Sequence, residues 1–224
     1  MHSLSVKNKA KKEFMHTHFT EKILEKLRDQ LVDIYGDGST YKGVITAHQL
    51  IDMARYVPRE EQEAVRNNIP SIRDFVELAK REPSALFLIN VLKDDTVIVE
   101  DMLIPWDKVG SAVAVYKELE KRDLYPDEVT LAVELDTEGK RTFISPLILE
   151  DRFLAPLLKE IYKDYEVPKK EKEEGSESLM FLTPWHDIMY TDVFSAKEKE
   201  YRLTRKEFEK LLSKGKVYIR FWWD

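Results

Sequence analysis

Apolar positions recur along this chain with two periods, and the change of period falls near residue 83. From Thr20 onward, Ile23, Leu24, Leu27, Leu31 and Ile34 follow helical spacing, and Gly36 and Gly38 stand where such a helix would stop. Thr46-Ala-His-Gln49 reads as a capping box, in which the hydroxyl and the amide side chain satisfy each other's backbone N–H groups. Ile45 and Leu50 are placed to staple that box, and the spacing predicts a helix to about Tyr56. Pro58 suits the first position of another short helix, running through Glu61 to Asn67. Ser71 caps a fourth, with Ile72, Phe75, Val76 and Ala79 inward. Residues 20–82 are therefore expected to form a four-helix segment, and with the basic stretch without period at 1–19 they make up a helical segment over 1–83.

Strand patterns follow. Leu86 to Leu92 is a near-continuous apolar run, as in a strand buried on both faces, and Asp94-Asp95 turns the chain into Thr96–Val99. Asp107 is placed to cap a helix carrying Val109, Ala112, Val113, Tyr116 and Leu119 on one face. Val129, Leu131, Val133 and Leu135 alternate with Thr130, Ala132, Glu134 and Asp136. Thr137-Glu-Gly-Lys140 has hairpin-loop composition, and Thr142 to Leu149 forms the return strand. Phe153 to Tyr165 has helical spacing around Pro156. Residues 166–177 carry too little apolar surface to offset the entropy of ordering and read as a linker or solvated excursion. Strands are expected at 178–183 and 188–194. Thr204-Arg-Lys-Glu207 is a second capping box, flanked by Leu203 and Phe208, with Gly215 past the helix end and a last strand over 216–223.

Tight turns between successive strands make antiparallel pairs. The order points to an α+β fold: an N-terminal helical segment, then a mainly antiparallel sheet with helices packed on one face. The expected domains are 1–83, an α+β core at 84–165, the excursion at 166–177, and a strand-helix-strand extension of the core at 178–224. A faint internal echo joins Leu103-Ile-Pro-Trp-Asp107 to Leu182-Thr-Pro-Trp-His186.

Composition narrows the chemistry. Of 224 residues none is Cys, 7 are Gly and 5 are His, while 35% are charged. Thiol nucleophiles and thiolate metal sites are excluded. The glycine-rich phosphate loops of nucleotide-binding folds are absent from the sequence, as is a Gly-x-Ser-x-Gly elbow. Abundant Lys and Glu with few Gly, Asn and Gln give a thermophile-like balance. No apolar run approaches the ~18 residues that span a bilayer, and no secretory signal opens the chain, so a cytoplasmic protein without membrane contact is expected. The formal net charge of −6 is uneven: residues 84–165 carry −7 and residues 196–224 carry +4.

Three groups of residues could carry function. Asp127, Glu138 and Lys140, with Glu134 and Asp136 as further carboxylates, match the spacing of a metal-dependent nuclease, although ordinary turn composition gives the same pattern. Trp106 and Asp107, with Trp185, His186 and Asp187, could line a cleft if the two Pro-Trp loops are neighbours. Arg202, Arg205, Lys206, Lys216 and Arg220, interleaved with aromatic residues, could meet phosphates and bases, although acidic neighbours dilute their field. His16-Thr-His18 lacks a third ligand at fixed spacing, and neither a metal centre nor a cofactor is expected. The leading expectation is a non-enzymatic binding protein whose partner is another protein or a second copy. A metal-dependent hydrolase or nuclease using the carboxylates is the alternative, and nucleic-acid binding through the basic segment is the second. An interaction protein predicts an exposed apolar patch.

Overall fold

The computed structural model describes residues 19–137, 140–146, 159–160, 188–192 and 200–224. The fold is α+β, with antiparallel strand pairs and helices packed against sheet. No helix among the described residues is long and apolar enough to cross a membrane. Two compact units divide the chain between Asp101 and Met102.

The first unit begins with helical residues 19–27 (α1). Strands β1 (Leu31–Asp33) and β2 (Thr40–Thr46) follow, then helices α2 (Ala47–Ala54), α3 (Arg59–Gln62) and α4 (Ile72–Arg81). Strand β3 (Leu86–Leu92) pairs antiparallel with β2, and β4 (Val97–Pro105) continues into the second unit. In the order β1-β2-β3-β4, β1 is the edge. The capping box predicted for α2 is present between Thr46 and Gln49, and Ile45 and Leu50 beside it are fully buried. Ser71 caps α4 with Asp74 returning the bond. In the register, Ile45 lies opposite Phe87, and the Phe75 ring of α4 meets the Phe87 ring edge-on at 6.1 Å. These helices therefore cover the face that carries Phe87, Ile89 and Val91, all fully buried. Burying a side chain of that size contributes about 1.5–3 kcal/mol. Thr20 Oγ1 of α1 donates to Asp95 Oδ1 at 2.5 Å, and Asp95 turns β3 into β4 at φ 66°.

The segment expected to hold four helices over 20–82 thus contains two strands. Helix α1 stops at residue 27, where Gln30 N bonds back to Leu27 O, and Leu31 and Ile34 continue the helical spacing by coincidence. Gly36 and Gly38 adopt φ 73° and 72° in a β1–β2 loop, not at a helix end. Helix α3 is shorter than expected, with Pro58 as its N-cap.

The second unit contains a 3-10 turn (Trp106–Lys108), helix α5 (Val109–Lys121), strands β5 (Glu128–Thr137), β6 (Lys140–Pro146), β7 (Ile188–Asp192) and β8 (Glu200–Leu203), helix α6 (Arg205–Ser213) and strand β9 (Val217–Trp222). Their order is β9-β5-β6-β7-β8, and the four pairs are antiparallel. The Thr204–Glu207 box caps α6, and Gly215 takes φ 68° just after it. Asp107 does not cap α5: it lies within the 3-10 turn, and Lys108 is the N-cap without a side-chain bond. One sheet face carries Leu131 and Val133 opposite Ile219 and Val217, and Tyr116 of α5 packs on Phe221 with centroids 6.3 Å apart. Trp223 is fully buried, its Nε1 donating to Leu124 O at 3.4 Å. The expected helix at 153–165, excursion at 166–177 and strand at 178–183 lie outside the described residues, apart from helical positions 159–160.

Candidate functional site

Each unit presents one arrangement that bears on function. In the second, strand alternation decides which side chains meet. Register places Glu134 opposite Phe143, Asp136 opposite Arg141, and Ala132 opposite Tyr218, so these side chains share the face turned away from α5. Glu134, with 12% of its side chain exposed, accepts from Arg141 Nη2 at 2.8 Å and from Tyr218 Oη at 3.0 Å, with Lys216 Nζ at 3.4 Å. The Phe143 ring lies between, 4.9 Å from the Arg141 guanidinium and 5.8 Å from the Tyr218 ring.

Burial opposes the charge on Glu134, but Arg141, the Tyr218 hydroxyl and Lys216 outweigh it and hold the carboxyl below its usual range. Burial and the Glu134 charge push the Tyr218 phenol up to about 12. The carboxylate is thus kept ionised and turned toward cations of its own sheet. That geometry makes it an ion-pair centre and opposes its use as a metal ligand.

The remaining sequence candidates scatter. Asp127 is exposed, and its N–H donates to Trp222 O at 2.8 Å. Asp136 is exposed beside Arg141, while Glu138 and the side chain of Lys140 lie outside the described residues. Among the described residues, no three His, Cys, Asp or Glu side chains gather at metal-binding distance. Trp106 is half-buried and Asp107 exposed, while Trp185, His186 and Asp187 lie outside the described residues. Of the basic candidates, Lys216 is spent on Glu134, and the Arg220 guanidinium lies 5.7 Å from the Trp222 ring centroid. Arg202 and Lys206 are exposed on β8 and α6, and the backbone of Arg205 opens α6.

The chain matches no family model, no curated protein and no solved structure.

The arrangement in the first unit went unnoticed in the sequence. Ile34 N donates to Thr40 O at 3.1 Å, so the alternation of an antiparallel ladder turns the N–H and C=O groups of Leu31 and Asp33 outward from β2. Val32 is 50% exposed, and Tyr35, just beyond the strand, is 61% exposed. Beside this edge, α1 and the two strands enclose a groove of about 440 Å³. Its floor is Leu24, Leu31 and Tyr41, and its rim is Glu21, Glu25 and Arg28. Gly43 makes the close approach possible: a Cβ there would lie 2.2 Å from Gln30 O. The Asp33 carboxylate holds the loop, accepting from Gly36 N at 2.9 Å and Gly38 N at 2.7 Å, while Asp37 accepts from Ser39 N at 2.8 Å. The available signal was Thr40-Tyr-Lys-Gly-Val-Ile-Thr46, rich in β-branched and aromatic residues, following a glycine-bearing loop.

Proposed function

We propose that the protein works by binding, and that it docks another protein chain at the β1 edge of its first unit. One observation carries this reading: Val32 and Tyr35 present apolar surface at a strand edge that is unpaired among the described residues, next to an apolar-floored groove. Folded chains protect such edges with Lys, Pro, bulges or a covering element, because an unpaired edge recruits strands. In a chain that is 35% charged, β1 carries only Asp33, whose carboxylate is occupied within the loop. Leaving this surface apolar makes sense if a partner covers it.

The test is site-specific photocrosslinking. A benzophenone amino acid at position 32 or 35 is compared with one at His48, whose side chain is 85% exposed on α2. The expected result is a discrete crosslinked product from positions 32 and 35 in an extract of the source cells. Capture no stronger than from position 48 overturns the proposal.

A further inference from the structure

The edge and its groove together specify a partner chemistry, and this step rests on the binding proposal above. We infer that the occupant is an extended peptide segment of a partner protein that adds to β1 as a strand and combines apolar with basic side chains. Three observations converge on it. Leu31 and Asp33 offer outward N–H and C=O groups at alternate positions, which is the ladder an incoming strand needs. Leu31 shares its sheet face with Tyr41, on the side where α1 lies, so every second side chain of an added strand points at the groove. An apolar side chain there covers Leu24 and Leu31. The rim then sets the charge. Glu21 and Glu25 are exposed and lie one turn apart on α1, which makes the entrance carboxylate-rich, and a Lys or Arg of the peptide meets them. Arg28 also lines the groove, so two carboxylates face one guanidinium there.

The intervening side chains of the peptide fall on the opposite face beside Val32, where an apolar residue gains most. Main-chain bonds supply affinity independent of sequence, and the groove and its rim supply selectivity.

A random dodecamer library displayed on phage, selected on the immobilised full-length protein, tests this directly. The winners should be apolar segments that carry Lys or Arg. A synthetic winner should bind at least tenfold more weakly to the Glu21→Lys, Glu25→Lys double variant, whose unchanged melting curve certifies its fold. It should also lose at least tenfold when its β1-facing amides are N-methylated, which removes ladder donors without touching the protein. No enrichment, acidic winners, or binding indifferent to both changes overturns the inference. Crosslinking then separates the two levels. If positions 32 and 35 capture a protein while the peptides fail, strand addition is wrong and the binding proposal survives. If neither succeeds, both fall. A crosslink only to a second copy of the chain makes the occupant a protomer and overturns the peptide.

Discussion

Replacing Tyr218 by Phe isolates one hydroxyl in the second unit. The ring is 7% exposed and packs 5.8 Å from Phe143, so Phe keeps the volume and the stacking. What is lost is a 3.0 Å hydrogen bond to the Glu134 carboxylate. A hydrogen bond to a charged acceptor contributes about 1.5–3 kcal/mol. Glu134 keeps Arg141 and Lys216, and solvent screens the strand end, so the expected loss at pH 8 is about 1–2 kcal/mol. The pH dependence provides a second reading. Tyr218 holds its proton in the folded state up to about 12, above the ordinary 10.0, because burial and the Glu134 charge oppose ionisation. Its contribution is therefore complete below pH 10 and is lost as the pH rises toward 12. All four Trp lie after residue 105, within the second unit, so urea unfolding followed by Trp fluorescence reports on the right part of the chain. The parent and Tyr218→Phe curves should be well separated at pH 8 and converge between pH 10 and 12. Equal stability at pH 8, or a gap that widens with pH, refutes the reasoning.

Other changes probe the remaining links. Glu134→Gln removes the charge that Arg141 and Lys216 face; because the folded carboxyl sits below its usual range, the parent's advantage should hold at neutral pH and disappear as the pH falls through that lowered value, measured by urea midpoints from pH 7 downward. Gly43→Ala drives a Cβ to 2.2 Å from a backbone oxygen that no rotamer change can move, so it should cost about 1–3 kcal/mol and speed amide exchange in β1; unchanged exchange there counts against the packing described. Asn90, opposite Lys42 on β3, is 3% exposed, and its Oδ1 has no hydrogen-bond partner among the described residues. Asn90→Leu should therefore stabilise the first unit by about 1 kcal/mol in a denaturation followed by circular dichroism, and a loss of stability would show that the amide is satisfied.

Sequence reading succeeded where a local signal and the tertiary outcome agree. Thr46–Gln49 and Thr204–Glu207 cap helices because the hydroxyl and N3 side chain need no distant partner. Leu86–Leu92 is buried on both faces, as its apolar run, interrupted only by Asn90, requires. It failed where spacing was ambiguous. Leu31 and Ile34 fit a helix by period, yet Gly43 admits the chain close to Gln30 and a strand forms instead. The site was harder still. The strand pattern offers Glu134 only as a spare carboxylate for a metal, and Arg141, Lys216 and Tyr218 reach it through pairings of β5 with β6 and β9 that composition does not encode. The exposed edge depends on β1, whose three residues are too few to carry a strand period of their own.

The β1–β2 loop also bears on how the protein ages. Asp37-Gly38 is a dipeptide prone to isoaspartate formation, in which the glycine nitrogen attacks the aspartyl side-chain carbon and closes a succinimide with loss of water. Here that nitrogen is committed to the Asp33 carboxylate at 2.7 Å. The Asp37 carboxyl is held below its usual range by its bonds to Ser39, which disfavours the protonated acid through which ring closure runs. Both features oppose ring closure in the folded loop, so isoaspartate should accumulate faster in the unfolded chain than in the native one.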